Sequence, residues 1–147
     1  MAAAAEINRQ RVMQLATEKD GQPWACTVYF VLHEGCFYWL SYPERRHSGE
    51  LAVNPRAAIA IAIEQALPVV GLQSEGEVAV VKELREIETV LALYVKKYGS
   101  GKQFVQRYKD GTNRHVLYRF VPRKTVLFDE RNYSEEPQRE IDPTLLS

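Results

Sequence analysis

Two arginines, a histidine and a serine follow one another in a single loop, as Arg45, Arg46, His47 and Ser48. The residues from Ser48 onward are compatible with a short helix that Asn54-Pro55 would end. A phosphate group here could accept a bidentate pair of hydrogen bonds from Arg46. His47, a hydroxyl or the backbone at the helix start could each donate one more. The same composition suits a solvated turn whose arginines pair with surface acids, so an anion site and a surface turn both stay open.

The sequence gives no support for a catalytic nucleophile, a metal site, a phosphate-binding P-loop or a catalytic pair of carboxylates. The histidines are His33, His47 and His115, and no G-x-S-x-G, H-E-x-x-H or paired C-x-x-C motif accompanies them. The stretch GSGK at residues 99–102 lacks the spacing of a phosphate-binding P-loop and follows a helical pattern, so we interpret it as a helix terminator. Carboxylates cluster only in polar runs such as DERNYSEE at residues 129–136, which favours a solvated surface over a catalytic pair. We predict no metal site.

Composition limits the number of domains and the classes of partner. The 147 residues suffice for one domain with a hydrophobic core, and 46% hydrophobic with 26% charged residues is typical of a globular protein. Lys and Arg together number 19, as do Asp and Glu, so the formal net charge is zero. Because no overall basic field exists, we predict neither nucleic acid nor a membrane surface as a partner.

The cysteines and the N-terminal residues favour the cytoplasm. Cys26 and Cys36 fit no metal spacing, and we interpret them as two buried free thiols rather than a disulfide. The opening MAAAAEINRQ lacks the apolar core of a signal peptide, and no segment reaches the roughly 18 apolar residues of a membrane span. We therefore expect a cytoplasmic protein.

The elements that would position the basic loop are mostly strands. VMQLAT begins a strand at Val12, and the turn signal Asp20-Gly21 precedes a long strand over residues 23–33. Glu34-Gly35 marks the next turn, before the aromatic strand CFYWLS that leads into the loop. After the loop, RAAIAIAIE over residues 56–64 alternates isoleucine with alanine, which predicts a strand covered on both faces.

The pattern changes from strand to helix and back in the second half of the chain. Residues 69–81 predict a further strand, with a bulge or bend at Gly71 or Gly76. Apolar residues then recur at helical spacing over residues 84–98, on a face that could pack on the chain's own sheet or on a partner. A last strand is predicted over residues 114–128. This order predicts an α+β fold around a small antiparallel barrel.

An ordered set of motifs resembles a known family. L-A-T, D-G-x-P, the long strand TVYFVLHEG, F-Y-W-L-S, a polar loop with R-H, L-x-x-N-P-R, an alternating strand and G-L-Q-S-E-G-E-V follow one another. This order resembles the FMN-binding split barrels related to pyridoxamine 5'-phosphate oxidase, over residues 12–81 with a continuation to Phe128. The resemblance implies a six-stranded antiparallel Greek-key split barrel with a few flanking helices. Such proteins are usually homodimers with FMN at the interface.

The resemblance also implies how the chain is organised. Residues 1–147 would form one FMN-binding domain, with barrel strands over residues 12–81 and 114–128. A helical insertion would occupy residues 83–110, and the tail over residues 132–147 should be irregular.

The resemblance assigns cofactor contacts to individual residues. The family's basic phosphate pair falls on Arg46 and His47, and since many members have Arg-Lys there, His47 makes the second contact pH-dependent. Strand-end contacts fall at the end of CFYWLS, and flavin-edge contacts fall on the second strand. A glutamine of the fifth strand falls on Gln73, two residues from the expected position but on the same face. The full set is Thr27, Val28, Tyr29, Leu40, Ser41, Arg46, His47 and Gln73.

The resemblance leaves the reaction open. The C-terminal DERNYSEEPQREIDPTLLS lacks the Arg-x-His-type clamp of pyridoxamine phosphate oxidases, so we do not expect pyridoxamine phosphate as the substrate. One hypothesis is an FMN-dependent oxidoreductase acting on another small molecule, with the flavin supplying the redox chemistry and no particular side chain required for catalysis. A second is a non-enzymatic flavin- or haem-binding module, such as a sensor, store or stress protein, with His33 or His115 as the axial ligand of haem. A third is a barrel that has lost its cofactor.

Overall fold

The computed structural model describes residues 2–99 and 102–147, which form eight β-strands and four α-helices. The strands are β1 (Val12–Lys19), β2 (Gln22–Tyr29), β3 (Val31–His33), β4 (Cys36–Ser41), β5 (Arg56–Glu64), β6 (Val70–Val80), β7 (Val116–Asp129) and β8 (Gln138–Glu140). The helices are α1 (Ala2–Arg9), α2 (Arg46–Val53), α3 (Leu84–Tyr98) and α4 (Lys102–Lys109), and a 3-10 helix follows at Pro143–Leu146.

The strands form one antiparallel sheet that curls on itself. Their order is β2-β1-β5-β6-β7-β4-β3, with β8 added on β7. The strands at the two ends of this order, β2 and β3, are consecutive in the chain and separated only by Phe30. A sheet whose end strands are joined by one residue has to curl, and the result is a half-barrel of the α+β class. In the part of the chain that the structure describes, the outer side of β2 has no neighbouring strand.

The predicted number of six strands is wrong. The strand predicted over residues 23–33 is two strands, β2 and β3, and the tail contributes β8. The break falls at Phe30 because the backbone groups of Phe30 form hydrogen bonds with side chains of helix α3. The Phe30 N–H donates to the Tyr98 hydroxyl at 3.1 Å, and Lys97 Nζ donates to the Phe30 carbonyl at 2.9 Å. These partners are 68 and 67 residues away in the chain, so the local pattern could not show the break.

Glycine-containing turns and bulges lie where the sequence predicted them. Asp20-Gly21 joins β1 to β2 and Glu34-Gly35 joins β3 to β4, and all four residues have positive φ. The register shifts beside Gly71 in the β5–β6 pair and at Gly76 in the β6–β7 pair. A side chain is excluded at Gly76 because an added Cβ would lie 2.1 Å from the Val121 carbonyl oxygen.

Helix α3 packs on the chain's own sheet. The helix predicted over residues 84–98 is confirmed, and its buried residue Val90 packs with Tyr38 and Leu117 of the sheet. Glu86 of the same helix accepts hydrogen bonds from Tyr38 at 2.7 Å and from Arg119 at 2.7 Å. Of the two alternatives for the apolar face of α3, packing on the sheet is therefore the one observed.

Helix α3 ends at a glycine, as predicted. Gly99 has a φ of 74°, a left-handed value that glycine adopts without strain. The next two residues of the predicted terminator, 100 and 101, lie outside the described residues. Within the described ranges, no helix is long and apolar enough to span a bilayer.

The two ends of the chain pack on the barrel core. Helix α1, which the sequence did not predict, buries Ile7, and the 3-10 helix near the C-terminus buries Leu146. Both residues belong to the hydrophobic cluster that contains Phe37 and Trp39. The prediction of an irregular tail is wrong, because strand β8 pairs with β7 and Leu146 anchors the last residues in the core.

Candidate functional site

One cleft brings together most of the residues that the sequence singled out. It has a volume of about 500 Å³ and lies between strand β2, the loop from β4 to α2, helix α3 and the residue before β7. We refer to it as the cleft. Seven of the eight predicted cofactor residues line it, namely Thr27, Val28, Tyr29, Leu40, Ser41, Arg46 and His47.

Strand β2 forms one wall of the cleft. Because β2 is an edge strand of the sheet formed by residues 2–99 and 102–147, the backbone N–H and C=O groups on its outer side make no ladder bonds to another strand of that sheet. Val28 is buried, whereas Tyr29 is 55% exposed and meets Tyr98 edge-on, with 5.3 Å between ring centroids. The wall therefore combines apolar side chains with backbone groups that lie outside the ladder of the sheet. A flat heteroaromatic ring with a polar edge needs both.

Arg46 lies in the first turn of α2, with its guanidinium held on two sides. Nε donates to Glu50 Oε2 at 2.7 Å, and the central guanidinium carbon lies 3.9 Å from the centre of the Trp24 ring. The Arg46 side chain is nevertheless 47% exposed, so an anion in the cleft can reach it. The sequence singled out Arg46 but neither Trp24 nor Glu50, although the i, i+4 spacing of Arg46 and Glu50 is a recognisable signal for their pairing.

Glu50 is a buried carboxylate whose two oxygens both accept hydrogen bonds. Oε1 accepts from Thr17 Oγ1 at 2.8 Å, and Oε2 accepts from Arg46. The hydrogen bond from Arg46, followed by that from Thr17, holds the pKa of Glu50 below its ordinary value. Glu50 is therefore ionised at neutral pH, and one negative charge lies beneath the basic loop.

Two buried polar atoms at the start of α2 have no hydrogen-bond partner. They are His47 Nε2 and Ser48 Oγ, and among the described residues Trp39 Nε1 is the one other buried side-chain atom in this condition. Buried polar groups normally have partners, so the missing partner of His47 Nε2 is unusual, and His47 is also one of the residues that line the cleft. Burial, and then the charge of Arg45, lowers the pKa of His47, while Glu50 opposes this shift. We therefore expect a neutral His47 at neutral pH before an anion binds.

Aromatic rings from three other parts of the chain complete the cleft. Tyr42 and His115 stack with 4.2 Å between centroids, and His115 Nδ1 lies 2.6 Å from Asn113 Oδ1. Burial, and then the charge of Arg45, lowers the pKa of His115. Tyr94 of α3 also lines the cleft, and burial raises its pKa. The sequence placed Tyr94 on the apolar face of a helix, which gave no sign of this position.

The two histidines proposed as axial ligands lie in different places. His115 borders both the cleft and a second cavity of about 470 Å³, to which Arg107 and Arg114 also contribute. His33 lies in a separate cavity formed with α1 and the C-terminal residues, 3.9 Å from Glu34. Only His115, of these two, could meet a ligand bound in the cleft.

The eighth predicted residue, Gln73, lies on another surface. A shallow cavity of about 450 Å³ on the outside of the sheet is lined by Ala16, Ala25, Ala58, Ala60, Gln14 and Gln73, among others. We refer to these six residues as the alanine face. The core side of the same sheet carries buried isoleucines such as Ile59. Within one chain, strand β5 is therefore covered on one face only, and the prediction of cover on both faces is not met.

The half-barrel and its cleft together define an α+β split-barrel protein. The family model described as pyridoxamine 5'-phosphate oxidase matches residues 1–124. The chain therefore belongs to the pyridoxamine 5'-phosphate oxidase family, as the order of its motifs indicated.

Solved structures with the same fold differ in what their names say they bind. A conserved hypothetical protein of Mycobacterium tuberculosis has a TM-score of 0.77 and 21% identity, covering 90% of this chain and 86% of that one. An FAD-binding protein of Mesorhizobium loti has a TM-score of 0.63 and 18% identity, covering 84% and 87%. The haem storage protein HutZ of Vibrio cholerae has a TM-score of 0.64 and 22% identity, covering 83% and 89%. No curated protein matches the chain. At these identities the likeness concerns the fold alone.

Proposed function

We propose that the cleft binds FMN and that the protein is an FMN-dependent oxidoreductase acting on a small molecule. The observation that carries this proposal is the meeting, in one cleft, of an edge strand, a half-exposed arginine and a buried imidazole nitrogen without a partner. FMN has a flat ring with a polar edge and a dianionic phosphate, and the wall formed by β2 and the basic residues of the loop suit these two parts.

The residues present fit the two parts of FMN. Arg46 and His47 would hold the phosphate, through charge-assisted hydrogen bonds and the unpartnered Nε2 atom. The strand-end residues Leu40 and Ser41 would lie beside them, and residues 27–29 of β2 would offer backbone groups to the flavin edge.

The protein's contribution to catalysis would be binding and orientation. When bound, FMN supplies electron and hydride transfer, so no acid, base or nucleophile of the chain is required by the proposal. The rings of Tyr42, Tyr94 and His115 would exclude water from the cleft and limit the size of a substrate.

We further propose that the protein is a homodimer paired through the alanine face. Ala60 is exposed and its neighbours Ala16 and Ala58 are half-buried on the middle of a sheet, where a flat partner surface can approach closely. Glu75 and Lys124 line the same cavity and carry opposite charges, which two copies could pair. A second copy offers such a surface, and it would cover strand β5 on the side that one chain leaves open. Pairing there would bring Gln73 into the interface, where it could reach the FMN of the partner.

The absorption spectrum of the purified chain after addition of FMN and removal of the excess tests the first proposal. We expect flavin bands that stay with the protein, and a featureless spectrum would contradict it. Anaerobic mixing of this complex with a reduced nicotinamide then tests oxidoreductase activity. Bleaching of the bound flavin is expected, and an unchanged flavin spectrum would favour a binding module.

A second candidate function is haem binding, and the position of His115 is the observation that favours it. Asn113 holds the ring at Nδ1, which leaves Nε2 as the nitrogen that could bind iron from inside the cleft. Addition of haem would then produce a Soret band that is lost in His115→Ala and kept in His33→Ala. Identical spectra for the two variants would exclude His115 as the ligand.

We propose the cytoplasm as the compartment of this protein. Cys26 and Cys36 are both free and half-buried, which suits a reducing environment. Burial raises the pKa of both thiols, so neither is activated as a nucleophile. Detection of the protein in the cytoplasmic fraction of its own cells is the expected result.

A further inference from the structure

Arg46 is held by a carboxylate that is itself buried. The Glu50 side chain is 8% exposed, whereas the Arg46 side chain is 47% exposed. Burying a carboxylate is costly, and an ion pair with one half-exposed partner contributes little to stability. A contribution to folding stability therefore does not by itself explain why a carboxylate is buried beneath the start of α2.

The contacts of this pair fix the plane of the guanidinium. The hydrogen bond to Glu50 uses the Nε–H donor, which leaves the four Nη–H donors of Arg46 for an anion. Thr17 of β1 holds the other Glu50 oxygen at 2.8 Å, and the Trp24 ring of β2 lies against the guanidinium at 3.9 Å. Residues from β1, β2 and α2 therefore combine to orient one cationic group.

We propose that Glu50 is the positioning residue of the phosphate site, because it orients the guanidinium of Arg46. Its negative charge also makes the affinity for phosphate lower than it would be with a neutral residue at position 50. This inference rests on the proposed function, because the phosphate is that of FMN. A guanidinium that is already oriented loses little further freedom when an anion binds. The carboxylate that orients it repels the phosphate. Positioning and repulsion therefore change the affinity in opposite directions.

Two substitutions of Glu50 separate these effects. Glu50→Gln keeps an oxygen that accepts from Arg46 Nε and gains an N–H that can donate to the Thr17 hydroxyl, but it removes the charge. Glu50→Ala removes the charge and both hydrogen bonds. Because the two variants have the same charge, the difference between their affinities measures positioning. The difference between wild type and Glu50→Gln measures repulsion.

FMN titration of the full chain, followed by flavin fluorescence, measures these affinities. We expect Glu50→Gln to bind FMN roughly threefold to tenfold more tightly than wild type. We expect Glu50→Ala to bind about tenfold more weakly than Glu50→Gln. Equal affinities of the two variants would overturn positioning, and weaker binding by Glu50→Gln than by wild type would overturn repulsion.

Glu86 offers a matched control. Like Glu50 it accepts from an arginine and from a hydroxyl, those of Arg119 and Tyr38, but it lies outside the cleft. Glu86→Gln and Glu86→Ala should lower the melting temperature and leave FMN affinity within about twofold of wild type. If they change FMN affinity as the Glu50 variants do, the effect is structural and the proposal fails.

The fluorescence of Trp24 reports the position of Arg46 in the protein without FMN. Trp24 is 40% exposed under the guanidinium, whereas Trp39, the other tryptophan, is fully buried in the core. We expect Glu50→Ala to change the emission in the same way as Arg46→Ala, and Glu50→Gln to keep the wild-type emission. Trp24→Phe assigns the signal.

Wild-type emission from Glu50→Ala would contradict the proposal, as would no change in Arg46→Ala. Because this readout needs no FMN, it separates the two claims. Failure of the wild-type chain to bind FMN rejects the proposed function, whereas failure of the emission test rejects the role of Glu50.

Discussion

The cleft and the alanine face are cavities of similar size on the same curled sheet, and their linings differ in kind. Their volumes are about 500 and 450 Å³. The cleft has arginines, stacked aromatic rings and a buried nitrogen without a partner. The cavity of the alanine face is lined mostly by small side chains and amides, and its charged residues are Glu75 and Lys124, of opposite sign. The chemistry of the lining, rather than the volume, therefore distinguishes the cavity that we propose for a small anionic ligand from the surface that we propose for another copy of the chain.

Strand β2 contributes residues to both the cleft and the alanine face, so the two surfaces are neighbours. Ala25 belongs to the alanine face, and its neighbours Trp24 and Cys26 line the cleft. Thr27 and Tyr29, which share the side of β2 that carries Ala25, also line the cleft, so the two surfaces adjoin along this edge strand. A partner covering the alanine face would lie close to the cleft, and pairing should then influence cofactor binding.

The largest expected effect is that of a charge placed on the alanine face. Ala60→Arg should weaken dimerisation by about 4 kcal/mol, because an unpaired guanidinium would be buried at the interface. Analytical ultracentrifugation over a range of concentrations measures this. Ala66→Arg, in the loop between β5 and β6, is the control and should remain dimeric. A dimeric Ala60→Arg protein would show that the copies pair elsewhere.

The next effect concerns the cationic end of the cleft. Arg46→Glu should weaken FMN binding by about 3 kcal/mol, roughly a hundredfold, since a charge-assisted contact is replaced by repulsion. Equilibrium titration of the apoprotein with FMN gives the value. Arg123→Glu is the control, because Arg123 is exposed and pairs with Glu77 away from the cleft. Wild-type affinity in Arg46→Glu would place the phosphate elsewhere.

A smaller effect is expected from pH through His47. Burial lowers the pKa of His47 in the ligand-free chain, and a bound phosphate would raise it. Binding therefore takes up a proton between these two pKa values, and this contribution to affinity is lost as pH rises through that window. Comparison with His47→Gln cancels the titration of the phosphate itself.

The ratio of wild-type affinity to His47→Gln affinity is the quantity to measure. It should fall by about tenfold as the pH rises from about 5 to about 8, equivalent to roughly one pKa unit of differential interaction. A ratio that is constant over this range would remove His47 from the phosphate site.

The smallest expected effect links the two surfaces. Gln73→Ala should weaken FMN binding by about 0.5 kcal/mol in the dimer, the loss of one neutral hydrogen bond. In the Ala60→Arg background the same substitution should have no effect, because Gln73 lies outside the cleft of its own chain. Titration of the single and double variants with FMN measures the difference. An equal loss in both backgrounds would contradict a contact across the interface.

Local signals in the sequence predicted a large part of this fold. The positive-φ turns at Asp20-Gly21 and Glu34-Gly35, the bulge at Gly76 and the end of α3 at Gly99 each depend on the residue itself. The prediction of six strands was wrong because the Phe30 backbone forms hydrogen bonds with side chains of α3. These contacts join distant parts of the chain.

The candidate site likewise has residues that a local signal in the sequence reveals and residues that only the folded chain brings together. The basic loop could be found because its cations are consecutive in the sequence. Glu50 pairs with Arg46 across one helical turn and was missed because its burial depends on Thr17 of β1. Tyr42, Tyr94 and His115 come together only when the sheet curls and α3 packs on it, so their meeting in the cleft has no local signal.

A crystal structure of the protein with FMN tests the central claim most directly. We predict that the phosphate lies within hydrogen-bond distance of the Arg46 Nη groups and of His47 Nε2, with the flavin ring against residues 27–29 of β2. A structure in which FMN binds away from the cleft, or in which the cleft holds the ring without contact between the phosphate and Arg46, would contradict it.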